Sequence, residues 1–480
     1  MMKRTKFLNF ILAAGMCFGM SACGSAGSSE TAAKETATPA ETAEPDVTAA
    51  PSPAETEEAL VFRGTASLDE AVLLDEADIR ILLRNLECDD RRVSYEIAFE
   101  NNTDRKLTFK SGTEWTNPMS VNRYMLNSSS NTFLMESVEP GAQSTEHMDF
   151  MTEDLLAYGI TDIAEMEFRF NITDDSGDEY LRTGPLKAET SAAGGYDFTG
   201  DTYLKSVQEG NPAEWMGEPV VNVVSGNYFE AEGVRVISAA VTADDIVFVE
   251  AENTSDQAQI LSYDMLAVNH VNFPKAMGDV NLLLLNPHSR GFFRIRPAAL
   301  HAAEADDFGV GSIADLSFYA AVMDENREEL TGQTYTDILL ATGVPETDMS
   351  GEELYSNNGI RLILKGTAEN EDFFYVLLTA VNEREEPVYL YNDVRMEGLS
   401  VYVNGVQTVF GNDDFELKVA PGNAGAIEFS IDKVNSTIAL ENIGIAPEDI
   451  HTVDMTLAVA EGTKENVIDM ASFTARLKEE

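Results

Sequence analysis

Five short landmarks occur three times, in one fixed order, between residues 63 and 478. The first is an arginine between aliphatic residues: Ile79-Arg80-Ile81, Val234-Arg235-Val236 and Ile360-Arg361-Leu362. Each follows an apolar pair at the same offset, Leu73-Leu74, Tyr228-Phe229 and Leu354-Tyr355. The second is an asparagine closing an apolar run, at Asn101, Asn253 and Asn382. The third is a Val-Asn pair, Val121-Asn122, Val268-Asn269 and Val403-Asn404. The fourth is a proline loop, Pro140-Gly141, Pro287-His288 and Pro421-Gly422. The fifth is an alternating run: Met166, Phe168, Phe170 and Ile172; then Leu316, Phe318, Ala320 and Val322; then Val453, Met455, Leu457 and Val459. Asp174, Asp324 and Glu461 follow these runs at one common offset. Self-similarity of this kind limits the chain to three homologous domains built on one plan.

The period-two alternation predicts strands with one buried face. Val93, Tyr95, Ile97 and Phe99 keep the same rhythm. Asn122, Asn269 and Asn404 read as turn residues, because asparagine tolerates left-handed backbone angles. Asn404-Gly405 is a hairpin signal, whereas the first two copies have no glycine there. Short helical turns are expected before the last alternating strand, as at 152–158 and 440–443. The fold class is all-β: three tandem immunoglobulin-like β-sandwich domains of about 120 residues, each with seven or eight strands. Their expected limits are 63–190, 218–345 and 346–480. Residues 191–217 fall outside the repeat and contain Tyr196, Phe198, Tyr203 and Trp215. They are expected to form an extra strand or a plug between the first two domains. The short connection at 343–351 implies close coupling of the second and third.

The N-terminal region has a different character. Lys3, Arg4 and Lys6 precede a short apolar stretch that ends in Met20-Ser21-Ala22-Cys23. This is the layout of a secretory signal over residues 1–22. Its last four residues resemble the lipobox of bacterial lipoproteins. That resemblance implies a diacylglyceryl group on Cys23, cleavage before it, and attachment to the extracytoplasmic face of the cell membrane. Residues 24–57 are Ser, Thr, Ala, Glu, Pro and Gly with one Lys, one Asp and one Val and no aromatic residue, so 23–62 is expected to be a disordered tether. The third copy, with Leu354-Tyr355-Ser356-Asn357-Asn358-Gly359-Ile360-Arg361-Leu362 and Val403-Asn404-Gly405, resembles the immunoglobulin-like modules of Gram-positive surface lipoproteins. This resemblance implies fold and location, not an activity.

The chain carries a net charge of −51, and the three leader cations account for part of its few basic residues. Such a charge disfavours nucleic acid and direct adsorption to anionic lipid. Of three cysteines, Cys17 lies in the leader and Cys23 at the anchor. Cys88 then has no intrachain partner and is expected to be a small buried hydrophobe.

No metal or catalytic motif stands out. His147, His270, His288, His301 and His451 lack ligand spacing, with His270 and His288 expected in exposed loops. Ser312 lacks the glycine pattern of a nucleophile elbow. Asp174, Asp175, Asp178 and Glu179 surround Ser176-Gly177 and offer hard oxygen ligands for calcium, although a solvated hairpin tip is the preferred reading. Trp115 is assigned to core packing in preference to ligand contact. The expectation is therefore a non-enzymatic, lipid-anchored surface protein without a cofactor. It would have an adhesion, binding or scaffolding role toward an envelope or extracellular protein or glycan. An envelope hydrolase with an interdomain site and a calcium or small-ligand sensor are the alternatives.

Overall fold

Each repeat opens with a long β-hairpin whose two-residue turn is left-handed at both positions. Leu68–Glu76 and Ile79–Cys88 are joined by Ala77-Asp78, Val220–Ala231 and Val234–Thr242 by Glu232-Gly233, and Glu352–Asn357 and Ile360–Glu369 by Asn358-Gly359. Positive φ at both turn residues matches the right-handed twist of the strands, so the hairpin closes without splaying. In the computed structural model the described residues are 61–112, 118–126, 133–198, 200, 202–208, 220–274, 281–296, 303–393, 401–408 and 414–478. The leader, Cys23, most of the tether, Trp115, Trp215 and His301 lie outside them.

The described protein is all-β. A third strand pairs with each opening hairpin and ends at the landmark asparagine: Arg92–Asn101, Val247–Asn253 and Phe373–Asn382. A fourth follows each proline loop: Gln143–Met151, Arg290–Ile295 and Ala424–Asp432. The same antiparallel order of these four strands occurs in all three repeats. Each four-stranded layer packs on a second layer. In the first repeat, Phe99 meets Phe109 at 4.6 Å between ring centroids and Phe170 at 6.0 Å. In the second, Tyr263 stands edge-on to Phe293 at 4.9 Å. In the third, Ile427, Phe429, Leu457 and Val459 share one cluster. The buried apolar residues form three large clusters centred on the three repeats. Burying each phenylalanine contributes roughly 2–3 kcal/mol.

The asparagine landmarks have a common physical cause. Asn101 Nδ2 donates to the carbonyls of Arg105 (2.8 Å) and Val138 (2.9 Å). Asn253 does the same to Gln257 (2.7 Å) and Leu285 (3.3 Å), and Asn382 to Glu386 and Val419 (both 3.0 Å). All three are buried. A short amide is well suited here, because its two N–H donors satisfy carbonyls from separate segments that would otherwise be buried unpaired.

The Val-Asn pairs are hairpin turns in every copy, including the two without glycine. Asn122 and Arg123, Asn269 and His270, and Asn404 and Gly405 all have positive φ. The asparagine side chain fixes the incoming strand. Asn122 Oδ1 accepts from the backbone of Ala164 and Glu165 at 2.7 and 3.1 Å, Asn269 from Ala314 and Asp315 at 2.9 and 3.0 Å, and Asn404 from His451 and Thr452 at 2.9 and 3.1 Å. These bonds hold the left-handed turn without help from glycine.

The alternating run of the first repeat departs from the expected pattern. It is interrupted, with Glu165–Phe168 and Asn171–Asp174 belonging to different sheets. Its polar residues Glu167 and Arg169 are buried, so the run does not have one wet face. The second repeat covers that face. The expected helical turn at 152–158 is an α-helix over Thr152–Ala157. Among the described residues, no helix is long and apolar enough to cross a membrane.

Candidate functional site at the repeat junctions

Sheets continue from one repeat into the next through the Val-Asn hairpins. The first hairpin, Ser120–Val121 with Tyr124–Met125, lies parallel to the start of Arg290–Ile295 in the second repeat. The Arg290 N–H donates to the Arg123 carbonyl at 2.7 Å. The second hairpin, at the end of Gln259–Val268 with Val271–Asn272, lies parallel to the start of Ala424–Asp432 in the third. There the Ala424 N–H donates to the His270 carbonyl at 3.0 Å. Both junctions therefore seat a hairpin turn on the strand that follows a proline loop.

Around the first seat the packing is aromatic. Phe292 stacks on Tyr158 at 5.4 Å and meets Tyr203 at 4.2 Å. Tyr203 comes from the non-repeat segment, which forms a helix over Thr202–Gln208. The Thr202 carbonyl of this helix lies so close to Gly159 that a Cβ there would clash. Arg123 stands over the Phe198 ring at 4.4 Å.

The polar groups of this junction are largely paired with each other. Arg169, 3% exposed, donates to Asn286 Oδ1 at 2.7 Å and to Glu325 at 3.1 Å. Glu167 accepts from Ser120 at 2.8 Å and from Asn286 Nδ2 at 2.9 Å. Burial pushes the Arg169 pKa down, and Glu325 works against that shift. Its Nη2 is buried without a hydrogen-bond partner. A polar cleft of about 360 Å³ opens beside it, lined by Arg182, Arg327, Glu179 and Glu325.

The second junction carries a larger cleft of about 510 Å³, lined among others by Tyr263, Met265, Phe273, Arg296 and Lys418. Lys418 bridges to Asp264 at 2.5 Å, and Glu428 accepts the Ala303 N–H at 2.7 Å. Met265 has φ 51°, at a register shift between Asp264 and Ala267. The Asn272 side chain donates to the Met265 carbonyl at 2.9 Å and so holds this bulge open toward the cleft. A half-apolar wall with two cations, Arg296 and Lys418, and two carboxylates, Asp264 and Glu416, can hold an amphipathic group. In the first cleft, three arginines and two glutamates offer polar contacts.

Of the residues singled out in the sequence, Glu179 lines the first cleft and His270 lies at the second hairpin, whereas Asp174, Asp175, Asp178 and His288 do not line either cleft. Asp174 closes the hairpin of Asn171–Asp174 and Glu179–Arg182, accepting from the backbone of Ser176 at 3.0 Å and Asp178 at 3.1 Å. Glu179 pairs with Arg182 at 2.8 Å. Among the described residues, no group of three or more His, Cys, Asp or Glu side chains is arranged to hold a metal ion. His288 is exposed beside Asp256 at 2.8 Å. His270 is exposed at the second hairpin, 3.8 Å from the buried Asp315. Burial, together with the Asp337 carboxyl beside it, pushes the Asp315 pKa up to about 8. Cys88 is half-buried, and its thiol is pushed up to about 12 by burial, with Asp162 and Asp89 adding to the effect. The seat residues Arg290 and Ala424 carried no sequence signal beyond their fixed place after the proline loop.

No protein-family model matches the chain, and no curated protein matches it. Among solved structures, red sea bream transglutaminase is similar to 56% of this chain at 6% identity, with a TM-score of 0.16. The chain spans about a third, 32%, of that protein's length. The BSP domain of a biofilm associated protein is similar over 88% of this chain and 68% of its own length, at 8% identity and a TM-score of 0.13.

Proposed function

We propose that this is a lipid-anchored protein of the extracytoplasmic face of the cell membrane. In this reading, Cys23 carries the diacylglyceryl group and residues 23–62 form a tether. Three immunoglobulin-like modules, 63–190, 218–345 and 346–480, then present a non-catalytic binding or scaffolding surface. The ligand class is an envelope or extracellular protein or glycan. The observation that carries the proposal is the way both junctions use their polar groups. Arg169, Asn286, Glu167 and Glu325 hydrogen-bond to one another across the first, all but the Arg169 Nη2 engaged, as do Lys418 and Asp264 across the second. Groups locked in reciprocal pairs fix the relation of neighbouring modules, which suits a scaffold. A fixed multi-module surface also lets weak contacts add by multivalency.

The anchor and the role are tested separately. Cys23→Ser is expected to release the protein from the membrane fraction into the medium, and full retention on the membrane contradicts the anchor. For the role, the immobilised chain is incubated with an envelope extract. Retention of a protein or glycan supports binding. Turnover of cell-wall or peptide substrates, with nothing retained, overturns the non-catalytic reading.

A further inference from the structure

The third Val-Asn hairpin, Val401–Val403 with Val406–Thr408, has no seat within the described chain. Its residue Val406 occupies the position of Tyr124 and Val271 in the other hairpins. Tyr124 is 4% exposed and Val271 1%, because the next repeat covers them, whereas Val406 is 44% exposed. The backbone is equally open. Val403 and Val406 pair across the hairpin, so the Val406 N–H points inward. The Gly405 carbonyl, on the other side of the same trans peptide, must then point outward. It is the counterpart of the Arg123 and His270 carbonyls that accept hydrogen bonds at the two junctions.

Among the described residues, the matching half on the first repeat is unoccupied. The strand Gln143–Met151 is the outer strand of its sheet, where Arg290–Ile295 and Ala424–Asp432 are inner strands flanked by a hairpin. The Ala142 carbonyl accepts the Asn101 N–H at 2.9 Å, as the Ser289 carbonyl accepts that of Asn253 and the Asn423 carbonyl that of Asn382. The Gln143 N–H therefore points away from the sheet, as the Arg290 and Ala424 N–H groups do toward their hairpins. Gln143 is exposed. Ser144 stands where the other seats have Gly291 and Gly425. Gly291 is crowded by Leu283, Leu285 and Met125 of the seated hairpin, and Gly425 by Leu417 and Val419. In the first repeat Glu136 stands at the Leu283 and Leu417 position and accepts the Ser144 hydroxyl at 2.5 Å, so its own sheet accommodates serine.

We infer that the third hairpin of one molecule seats on the Gln143 strand of a second copy of this chain, with the Gln143 N–H donating to the Gly405 carbonyl. The continuity with two junctions inside the chain argues for this occupant. The contact joins different surfaces of the two molecules, so it extends head to tail and does not close as a symmetric dimer. It does not depend on the lipid anchor.

The test places single cysteines at the two exposed positions, Gln143→Cys and Val406→Cys, in the full chain with Cys17, Cys23 and Cys88 replaced by serine. Neighbouring strands stand roughly 4.8 Å apart, within the span of a disulfide. Mild oxidation of a mixture of the two variants is expected to give cross-linked dimers, and the double variant a ladder of higher species. Each single variant alone is expected to give neither. Dimers from Val406→Cys alone would mean a symmetric hairpin contact and would overturn the inference. So would cross-links only to a different protein, or no cross-links in the mixture. As a second measurement, light scattering of the full chain in detergent is expected to show a lower mass for Val406→Glu than for the parent. Equal masses for the two would count against the contact.

Discussion

Arg169 donates to Glu325 at 3.1 Å across 156 residues of chain, joining the first repeat to the second. The two ends of this bond are unequal. The Arg169 side chain is 3% exposed, while that of Glu325 is 50% exposed. The carboxylate therefore gains little from the pair, and the guanidinium depends on its partners. Arg169→Ala is expected to destabilise the protein by about 3–5 kcal/mol, because Asn286 and Glu167 lose a buried cation. Glu325→Gln is expected to cost under about 1 kcal/mol. Urea denaturation of both variants checks this, and equal effects would contradict the asymmetry.

Asn382 offers a test of the landmark asparagines. Its Nδ2 satisfies the Glu386 and Val419 carbonyls, and its Oδ1 accepts the Arg384 N–H, also at 3.0 Å. Asn382→Ala leaves these groups without partners and is expected to cost roughly 2–4 kcal/mol. Asn382→Asp keeps the acceptor but loses both donors, and it should be no better than alanine. Melting temperatures of the two variants decide. A stable aspartate variant would show that the donors contribute little.

Asp315 predicts a pH dependence. Its ordinary value of 3.8 is raised to about 8, chiefly by burial and then by Asp337. Between these values the unfolded state has lost the proton while the folded state keeps it. Folding stability attributable to this group is therefore full below about 3.8, falls as pH rises, and levels off above about 8. His270, 3.8 Å away, is the basic group facing it. Asp315→Asn removes the cost of ionisation. The variant is expected to gain melting temperature relative to the parent at pH 8, and to gain little at pH 4. The opposite order would show that ionised Asp315 is stabilised by His270.

The acidic hairpin tip makes a separate prediction. Asp174 holds the turn by accepting two backbone N–H groups, so Asp174→Ala is expected to cost about 1–2 kcal/mol with or without calcium. Thermal melts in calcium and in chelator measure both cases. A calcium-dependent rise that vanishes in Asp174→Ala with Asp178→Ala would instead establish an ion site.

What the sequence determined is local and repetitive. Alternation at Val93 to Phe99 specified strands, and the order of landmarks specified the common plan of the three repeats. Asparagine at 122, 269 and 404 marked turns, because its side chain both tolerates a left-handed angle and bonds the neighbouring strand. The same alternation places the polar residues Glu167 and Arg169 on the face opposite Met166, Phe168 and Phe170. Only tertiary structure buried them, because alternation separates two faces but does not say what covers each. Likewise, nothing local distinguishes Val406 from Val271. One is exposed and the other buried because a strand more than 150 residues away in sequence reaches Val271 and none within the described chain reaches Val406. Sheet continuation requires a free carbonyl to meet a free N–H in space, and that meeting is decided by the packing of whole repeats.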